Sequence, residues 1–332
     1  MSNNFTYNDK SIFITEYNVS MTDGSCNITF DPPFDSNITS DNIYVVATSF
    51  HTADSNIICF NVADITYDGC VIYGNYKEIN GFAGDPYDGS FNYIAVTNLN
   101  FNNNNNNEYA LNIPTATGVA PLFVCGSGTC TGTAQVFTTI DFPNTTNPYN
   151  NGGKISIIAT ARITDNYPTT TDMVAFTTTN VTNDSFQIIG NLKDGRDNES
   201  GGGYYNGSFN YIAIPGDAYY NGQDFPIYNY FLYDDSPIIQ VGAGLCQSDG
   251  TATIYYDISF NNLTTITTTV MALWDYNPNS STNMISFNIL QQNYGSCNII
   301  GYSKDGRGGS QYSGGNPYNG HFNYISLGYK ST

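Results

Sequence analysis

Gly89-Ser90-Phe91-Asn92-Tyr93-Ile94-Ala95 decides how this chain is read, because it returns twice. It recurs as Gly207-Ser208-Phe209-Asn210-Tyr211-Ile212-Ala213 and as Gly320-His321-Phe322-Asn323-Tyr324-Ile325-Ser326, at offsets of 118 and 113 residues. Self-similarity of this kind marks a repeated structural unit. A loop that opens alike precedes each copy: Gly74-Asn75-Tyr76-Lys77-Glu78, Gly190-Asn191-Leu192-Lys193-Asp194 and Gly301-Tyr302-Ser303-Lys304-Asp305. Further upstream, Val45-Val46-Ala47-Thr48 stands opposite Ile157-Ile158-Ala159-Thr160 and Val270-Met271-Ala272-Leu273.

These matches divide the chain into units at 1–101, 119–216 and 235–332. The join at 102–118 opens on an unbroken Asn run, Asn102 to Asn107, with no apolar content to form a core element. The second join, 217–234, is rich in Tyr and Phe. So aromatic a segment is costly to leave in water and is expected to pack on a domain face.

Within a unit the pattern is that of β structure. Ile43 to Phe50 is short, β-branched and aromatic, and Ile57 to Val62 and Cys70 to Tyr73 read the same way. In the last strand Phe91, Tyr93 and Ala95 fall on one face and Asn92, Ile94 and Val96 on the other. No stretch sustains the i, i+3, i+4, i+7 recurrence of an amphipathic helix. The expected fold is all-β: three tandem antiparallel β-sandwich domains related by internal repeat.

Composition narrows the function. The chain has 45 Asn, 28 Tyr and 32 Gly, but only 9 Lys and Arg against 28 Asp and Glu, a net charge of −19. This argues against nucleic acid as a partner, since a phosphate backbone needs clustered basic side chains. No apolar run reaches the ~20 residues that span a bilayer, so membrane insertion is not expected. The N-terminus has neither a basic region nor an apolar core, so no ordinary signal peptide is expected. An extracellular surface or a virion is still the favoured location.

Cysteine usage leaves two readings. Cys70 and Cys297 fall where the middle copy has Phe186, as a buried apolar residue would. Cys26–Cys70 and Cys246–Cys297 are also candidate bridges, and Cys125 and Cys130 could close a small loop. There is no Cys-x-x-Cys pair to hold structural zinc.

The order of features resembles the H-type lectin domain. Asn180-Val181-Thr182 with Ser185-Phe186, followed by Tyr211-Ile212-Ala213, is similar to that family's Asn-Val-Thr turn and final strand. The resemblance covers roughly the last 60 residues of each unit. It implies a six-stranded antiparallel sandwich, assembly in threes and binding of N-acetylgalactosamine-type sugars through an arginine and a tryptophan. Here Ile57, Met173 and about Met284 occupy the arginine position. The only Trp, Trp274, lies in an earlier segment, so the family's sugar site does not carry over.

Five of the nine basic residues lie in the loops before the last strand: Lys77, Lys193, Arg196, Lys304 and Arg307. Each loop closes on Tyr, a polar residue and Gly: Tyr87-Asp88, Tyr205-Asn206 and Tyr318-Asn319 before Gly89, Gly207 and Gly320. One reading is a glycan site in which Tyr87, Tyr205 and Tyr318 offer flat faces to sugar rings. Lys77, Lys193 and Lys304, with Asp88, Asp194, Asp305, Asn206 and Asn319, would bond the hydroxyls. A second reading has the lysines pair with carboxylates and pin the loops, each exposed pair contributing ~0–1 kcal/mol. A third has Ca2+ held by Asp194, Asp197 and Glu199, or by Asp305 with carbonyls. No other cofactor is expected. Only His51 and His321 are present, neither beside a nucleophile elbow, and no enzyme is expected.

The sequence thus points to a non-catalytic, lectin-like binding or adhesion protein for glycans or another surface. The alternative is a self-assembling structural subunit of a virion, fibre or extracellular coat. Partners are glycans or the chain itself, as a pseudo-trimer within one chain or as a larger homo-oligomer.

Overall fold

The computed structural model describes residues 3–7, 10–50, 57–77, 83–97, 112–115, 118–121, 123–131, 138–141, 155–165, 168–182, 185–193, 203–215, 232–233, 236–237, 239–256, 259–260, 265–273, 283–305 and 316–329. In the first unit the strands are β1 (Asn3–Tyr7), β2 (Lys10–Met21), β3 (Ser25–Thr29), β4 (Ile43–Phe50), β5 (Ile57–Thr66), β6 (Gly69–Lys77), β7 (Ala83–Pro86) and β8 (Gly89–Thr97). The hairpin of β9 (Asn112–Thr115) and β10 (Gly118–Pro121) leads into the second unit. That unit has β11 (Val124–Thr129), β12 (Thr138–Asp141), β13 (Ile155–Arg162), β14 (Met173–Thr179), β15 (Ser185–Lys193), β16 (Gly203–Tyr204) and β17 (Ser208–Pro215). β18 (Leu232–Tyr233), in the aromatic join, pairs with β19 (Ser236–Pro237) at the start of the third unit, while residues 217–231 of that join lie outside the described residues. It holds β20 (Ile239–Leu245), β21 (Thr251–Tyr255), β22 (Thr265–Leu273), β23 (Asn283–Gln292), β24 (Ser296–Asp305), β25 (Asn316–Pro317) and β26 (His321–Tyr329).

The all-β expectation holds, and each unit is a two-layered sandwich. The recurring Phe-Asn-Tyr-Ile stretch is the central strand of one layer, flanked antiparallel by β2 and β4 in unit 1, β11 and β13 in unit 2, and β20 and β22 in unit 3. The other layer is built on the antiparallel pairs β5–β6, β14–β15 and β23–β24.

Neither layer stops at its own unit, a feature the sequence reading did not anticipate. β4 runs parallel to β23 of unit 3, with Ser49 opposite Asn288. β13 runs parallel to β5 of unit 1, with Ala161 opposite Asn61. β22 runs parallel to β14 of unit 2, with Ala272 opposite Thr177. Ser49, Ala161 and Ala272 are equivalent, since each faces the Phe of its own recurring strand, Phe91, Phe209 or Phe322, so in unit 3 the sequence match that set Ala272 opposite Ala47 and Ala159 is displaced by two residues. The result is three mixed sheets, each half from one unit and half from the next, closed around a pseudo-threefold axis.

The recurring strand lies at the centre of a layer, with neighbours on both edges and cover on both faces. From Phe91 to Thr97 every side chain is buried. Its inner face meets the unit's own core, where Phe60 packs on Phe91 at 5.5 Å and Phe176 on Phe209 at 5.4 Å. Its outer face meets the other units: Ile94 and Val96 join a core cluster with Ile157, Ile212 and Ile325.

Asn92, Asn210 and Asn323 explain the polar residue inside so apolar a strand. The Asn92 side-chain amide donates to the Thr268 carbonyl of unit 3 at 3.1 Å. Asn323 donates to the equivalent Ile157 carbonyl of unit 2 at 3.2 Å. Asn210 is equally buried, but its amide has no hydrogen-bond partner among the described residues.

A ring of cross-unit contacts completes the axis. The Ala47 amide donates to Thr160 Oγ1 at 3.1 Å, and the Val270 amide to Thr48 Oγ1 at 3.2 Å. The Ala159 amide points at Met271 Sδ, 3.3 Å away. Each unit therefore gives one main-chain N–H to the next unit and receives one on the following side chain. Sulfur is a weak acceptor, so the third contact is the weakest.

The turn before β14 clasps unit 1. Asn61 Nδ2 donates to the Asp172 carbonyl at 2.7 Å, and Asn75 Nδ2 donates to the Thr170 carbonyl at 2.8 Å. Beside it Arg162 pairs with Asp41 at 2.9 Å, an exposed contact on the Asp side that adds little.

Thr160→Val should strip the Ala47 amide of its acceptor inside the protein, at a cost of about 1–3 kcal/mol. Thr160→Ser, which keeps the oxygen, should lose much less. Urea unfolding midpoints of the two variants check this, and equal midpoints would remove the ring from the account of stability.

Candidate functional site

The repeated loop closure is anchored inside the fold. Tyr87 is 3% exposed and Tyr205 is fully covered, while Tyr318 is half-buried. Each ring stands edge-on to a core phenylalanine: Phe60–Tyr87 at 5.9 Å, Phe176–Tyr205 at 5.7 Å and Phe287–Tyr318 at 5.7 Å. Each main-chain amide donates to the glycine that opens the loop, Tyr87 to Gly74 at 2.9 Å, Tyr205 to Gly190 at 2.8 Å and Tyr318 to Gly301 at 2.9 Å. Each hydroxyl donates to a carbonyl three residues on, at Ser90 (2.9 Å), Ser208 (2.6 Å) and His321 (3.0 Å).

This explains the paired glycines. A Cβ on Gly190 would stand 2.9 Å from Tyr205 Cβ, and one on Gly207 would stand 2.6 Å from the Tyr205 hydroxyl. The tyrosine fills the space that two absent side chains leave. The sequence reading offered these rings to a sugar. In the structure the faces of Tyr87 and Tyr205 are occupied by the core and serve to seat the loop.

The polar residues next to them do reach water. Asp88, Asn206 and Asn319 are exposed. Asp88 Oδ1 accepts the Asp23 amide at 2.6 Å, tying the loop closure to the β2–β3 turn.

The lysines are placed by their strands. Lys77 ends β6, Lys193 ends β15 and Lys304 is the last residue but one of β24. In the ladders Lys77 is the partner of Ile57, Lys193 of Met173 and Lys304 of Met284. Those three partners are 1%, 1% and 3% exposed, and they belong to one buried cluster with Cys59, Ala175 and Tyr302. The residues standing at the resemblance's arginine position thus meet on the axis as an apolar plug. The three lysine positions are brought to the same axial end. For Lys77, Lys193, Lys304 and Asp305 the structure gives the backbone position, while Asp194, Arg196, Asp197, Glu199 and Arg307 lie outside the described residues.

Next to the plug is an axial cavity of about 60 Å³. Equivalent residues of all three units line it, among them Thr48, Thr160, Cys59, Ala175 and Ser286. Ser286 Oγ accepts the Ile58 amide at 3.3 Å, a further bond between units. A volume of this size holds roughly four waters. Among the described residues no group of three His, Cys, Asp or Glu is placed to hold a metal ion. No described helix is long and apolar enough to cross a membrane. His321 occupies the place of Ser90 and Ser208 and is half-buried.

All seven cysteines are free thiols, which resolves the two readings of the sequence. Cys70, Phe186 and Cys297 hold the same place in β6, β15 and β24, and all three are buried. Burial pushes the Cys59, Cys130, Cys246 and Cys297 thiols up from 9 to about 12.

Comparison with protein-family models, with curated proteins and with solved structures found no match.

In denaturant without reductant all seven thiols should react with a thiol reagent, and a count below seven would mean that bridges form. In the folded protein only the half-buried Cys26 should react readily. The raised thiols also set a pH dependence. Above pH 9 the unfolded chain releases protons that the folded state retains, so stability present below pH 9 declines as pH rises towards about 12. Melting temperatures between pH 8 and 12 should fall steadily.

Proposed function

We propose that the chain is a non-catalytic glycan-binding protein, a single-chain pseudo-trimer that repeats one set of polar positions three times around its axis. The observation that carries this is the convergence of Ile57, Met173 and Met284. It draws the backbone ladder positions of Lys77, Lys193 and Lys304 towards one end of the axis. Multivalent display multiplies weak contacts when the sites are held at fixed separation, and the shared sheets fix that separation. The resemblance to the H-type lectin domain supports the same class of partner. Sugar contacts come from exposed polar positions such as Asp88, Asn206 and Asn319, while Tyr87 and Tyr205 hold the loops in place.

A second reading, a self-assembling structural subunit, draws on the outer end of unit 3. Strand β21 ends its sheet among the described residues. Tyr255 there is 75% exposed and the neighbouring Tyr294 is 53% exposed. An uncovered strand edge beside exposed aromatic rings is suited to pairing with another copy.

A glycan array probed with the purified chain should give signals above background for a restricted set of sugars. A blank array would count against the first reading. Negative-stain microscopy at high protein concentration tests the second, which requires ordered particles or filaments larger than one chain.

A further inference from the structure

We infer that the outer corner of unit 3 carries a binding site for a neutral oligosaccharide, with the ring of Tyr255 as its platform and the Asn298 amide as the hydrogen-bonding group beside it. This rests on the glycan reading above. It names an uncharged ligand class and adds to the thrice-repeated polar positions a site that unit 3 alone carries.

The first argument is the ring and what fixes it. Tyr255 ends β21 and is 75% exposed, more than any other large hydrophobic residue described. The next residue, Tyr256, is buried, with its hydroxyl 3.0 Å from Thr268 Oγ1 and its ring edge-on to Phe260 at 4.8 Å. The Tyr256 amide donates to the Gly295 carbonyl at 3.0 Å and the Phe260 amide to the Tyr294 carbonyl at 2.8 Å. Exposed Tyr294 is thereby brought to the same corner. Asn293 Oδ1 holds that turn by accepting the amides of Gly295 at 2.9 Å and Ser296 at 2.8 Å. A ring carried on so fixed a backbone has little freedom left to lose on binding, and tyrosine joins an apolar face to a polar tip.

The second argument is the polar group beside the ring. Thr253 and Tyr255 stand on the exposed face of β21, opposite Asn298 and Ser296 of β24. Thr253 Oγ1 donates to Asn298 Oδ1 at 2.9 Å. That bond uses the carbonyl end of the amide and leaves its N–H groups for a sugar hydroxyl. In the sister units Thr29 and Asp141 hold the place of Tyr255, opposite Gly69 and Ser185, so the ring belongs to unit 3 alone. The third argument is charge. No residue from Gly250 to Tyr256 or from Asn283 to Ser303 is charged, in a chain with 9 basic and 28 acidic residues. A cationic ligand finds no carboxylate on these strands, and an anionic one meets the field of an acidic protein, so an uncharged ligand fits best. A second copy of the chain, also at −19, is repelled by the same field.

The test is the glycan array repeated with Tyr255→Ala, Tyr255→Phe and Asn298→Ala, followed by calorimetric titration of the strongest uncharged array sugar into the full chain at about 50 and 300 mM NaCl. Uncharged sugars should give the signals, with an affinity indifferent to salt. Tyr255→Ala should weaken binding about 10-fold or more and Asn298→Ala about 3- to 10-fold, while Tyr255→Phe should stay within about 3-fold of the unaltered chain. Tyr255 is exposed and Asn298 half-buried, so melting temperatures should be unchanged, which separates a lost contact from a lost fold. An early melt in Tyr255→Ala leaves the decision to Asn298→Ala. Signals confined to acidic sugars, or kept in full by both alanine variants, overturn this inference and leave the glycan reading standing. A blank array overturns the glycan reading itself. Sedimentation of the unaltered chain as assemblies that Tyr255→Ala breaks into single chains would assign the ring to a second copy and overturn the sugar site.

Discussion

The structure depends on what becomes of the second edge of three strands, β4, β13 and β22. Each is paired on one side with the recurring strand of its own unit. A strand edge left open inside a protein buries unpaired amides and carbonyls, each costly to desolvate. Here every one of these edges is met by another unit. Two ladder positions pair parallel with one of the other units, and beyond them an amide reaches the remaining unit, at Thr160, Thr48 or Met271. The open edge of each unit is thus satisfied by the other two together. Closure follows from main-chain hydrogen bonding rather than from apolar contact alone.

The same constraint accounts for the unusual polarity of the centre. Asn92 and Asn323 sit among isoleucines and phenylalanines because each reaches a carbonyl of another unit. A charged residue in such a place would need a partner and would suffer a large desolvation cost. Amides and hydroxyls satisfy carbonyls and amides without charge. The Thr48–Thr160–Met271 ring and the Asn61 and Asn75 clasp on the Thr169–Asp172 turn follow this rule. The abundance of Asn and the scarcity of charge are therefore not only surface traits. Part of that composition is spent on joining the three units.

Much of this was legible from residues, and some was not. The triplication, the strands and the exchange of Cys70 with Phe186 and Cys297 came directly from alignment of the copies. The cross-unit sheets did not, because periodicity reports which face of a strand is apolar and is silent on what covers it. A signal was present nonetheless. Ile94 and Val96 are apolar on the face opposite Phe91 and Tyr93, and a strand apolar on both faces is covered on both. The tyrosines misled for a related reason. Tyr before a polar residue and Gly looks like an exposed turn, but the glycines at 74, 190 and 301 already signalled that a bulky group lies on the strand. For the lysines, sequence told that they recur and the ladders told where. Their convergence became visible only once Ile57, Met173 and Met284 were seen to meet.

Pseudo-symmetry also allows each unit to be judged against its sisters, and the departures are informative. In the axial ring two contacts end on a threonine hydroxyl and one on the Met271 thioether, so one side of the ring is held more weakly. Asn210 is the one member of its trio without a partner among the described residues. Both departures involve unit 2, whose Ala159 meets the thioether and whose recurring strand carries the unpaired amide. Unit 2 compensates elsewhere. Its apolar core runs without a break into the outer faces of units 1 and 3, whereas the cores of those two units are otherwise separate clusters. Triplication gives equal thirds at the outset. The three junctions are therefore not alike, since the one with the weaker directional contact adjoins the longest continuous apolar packing.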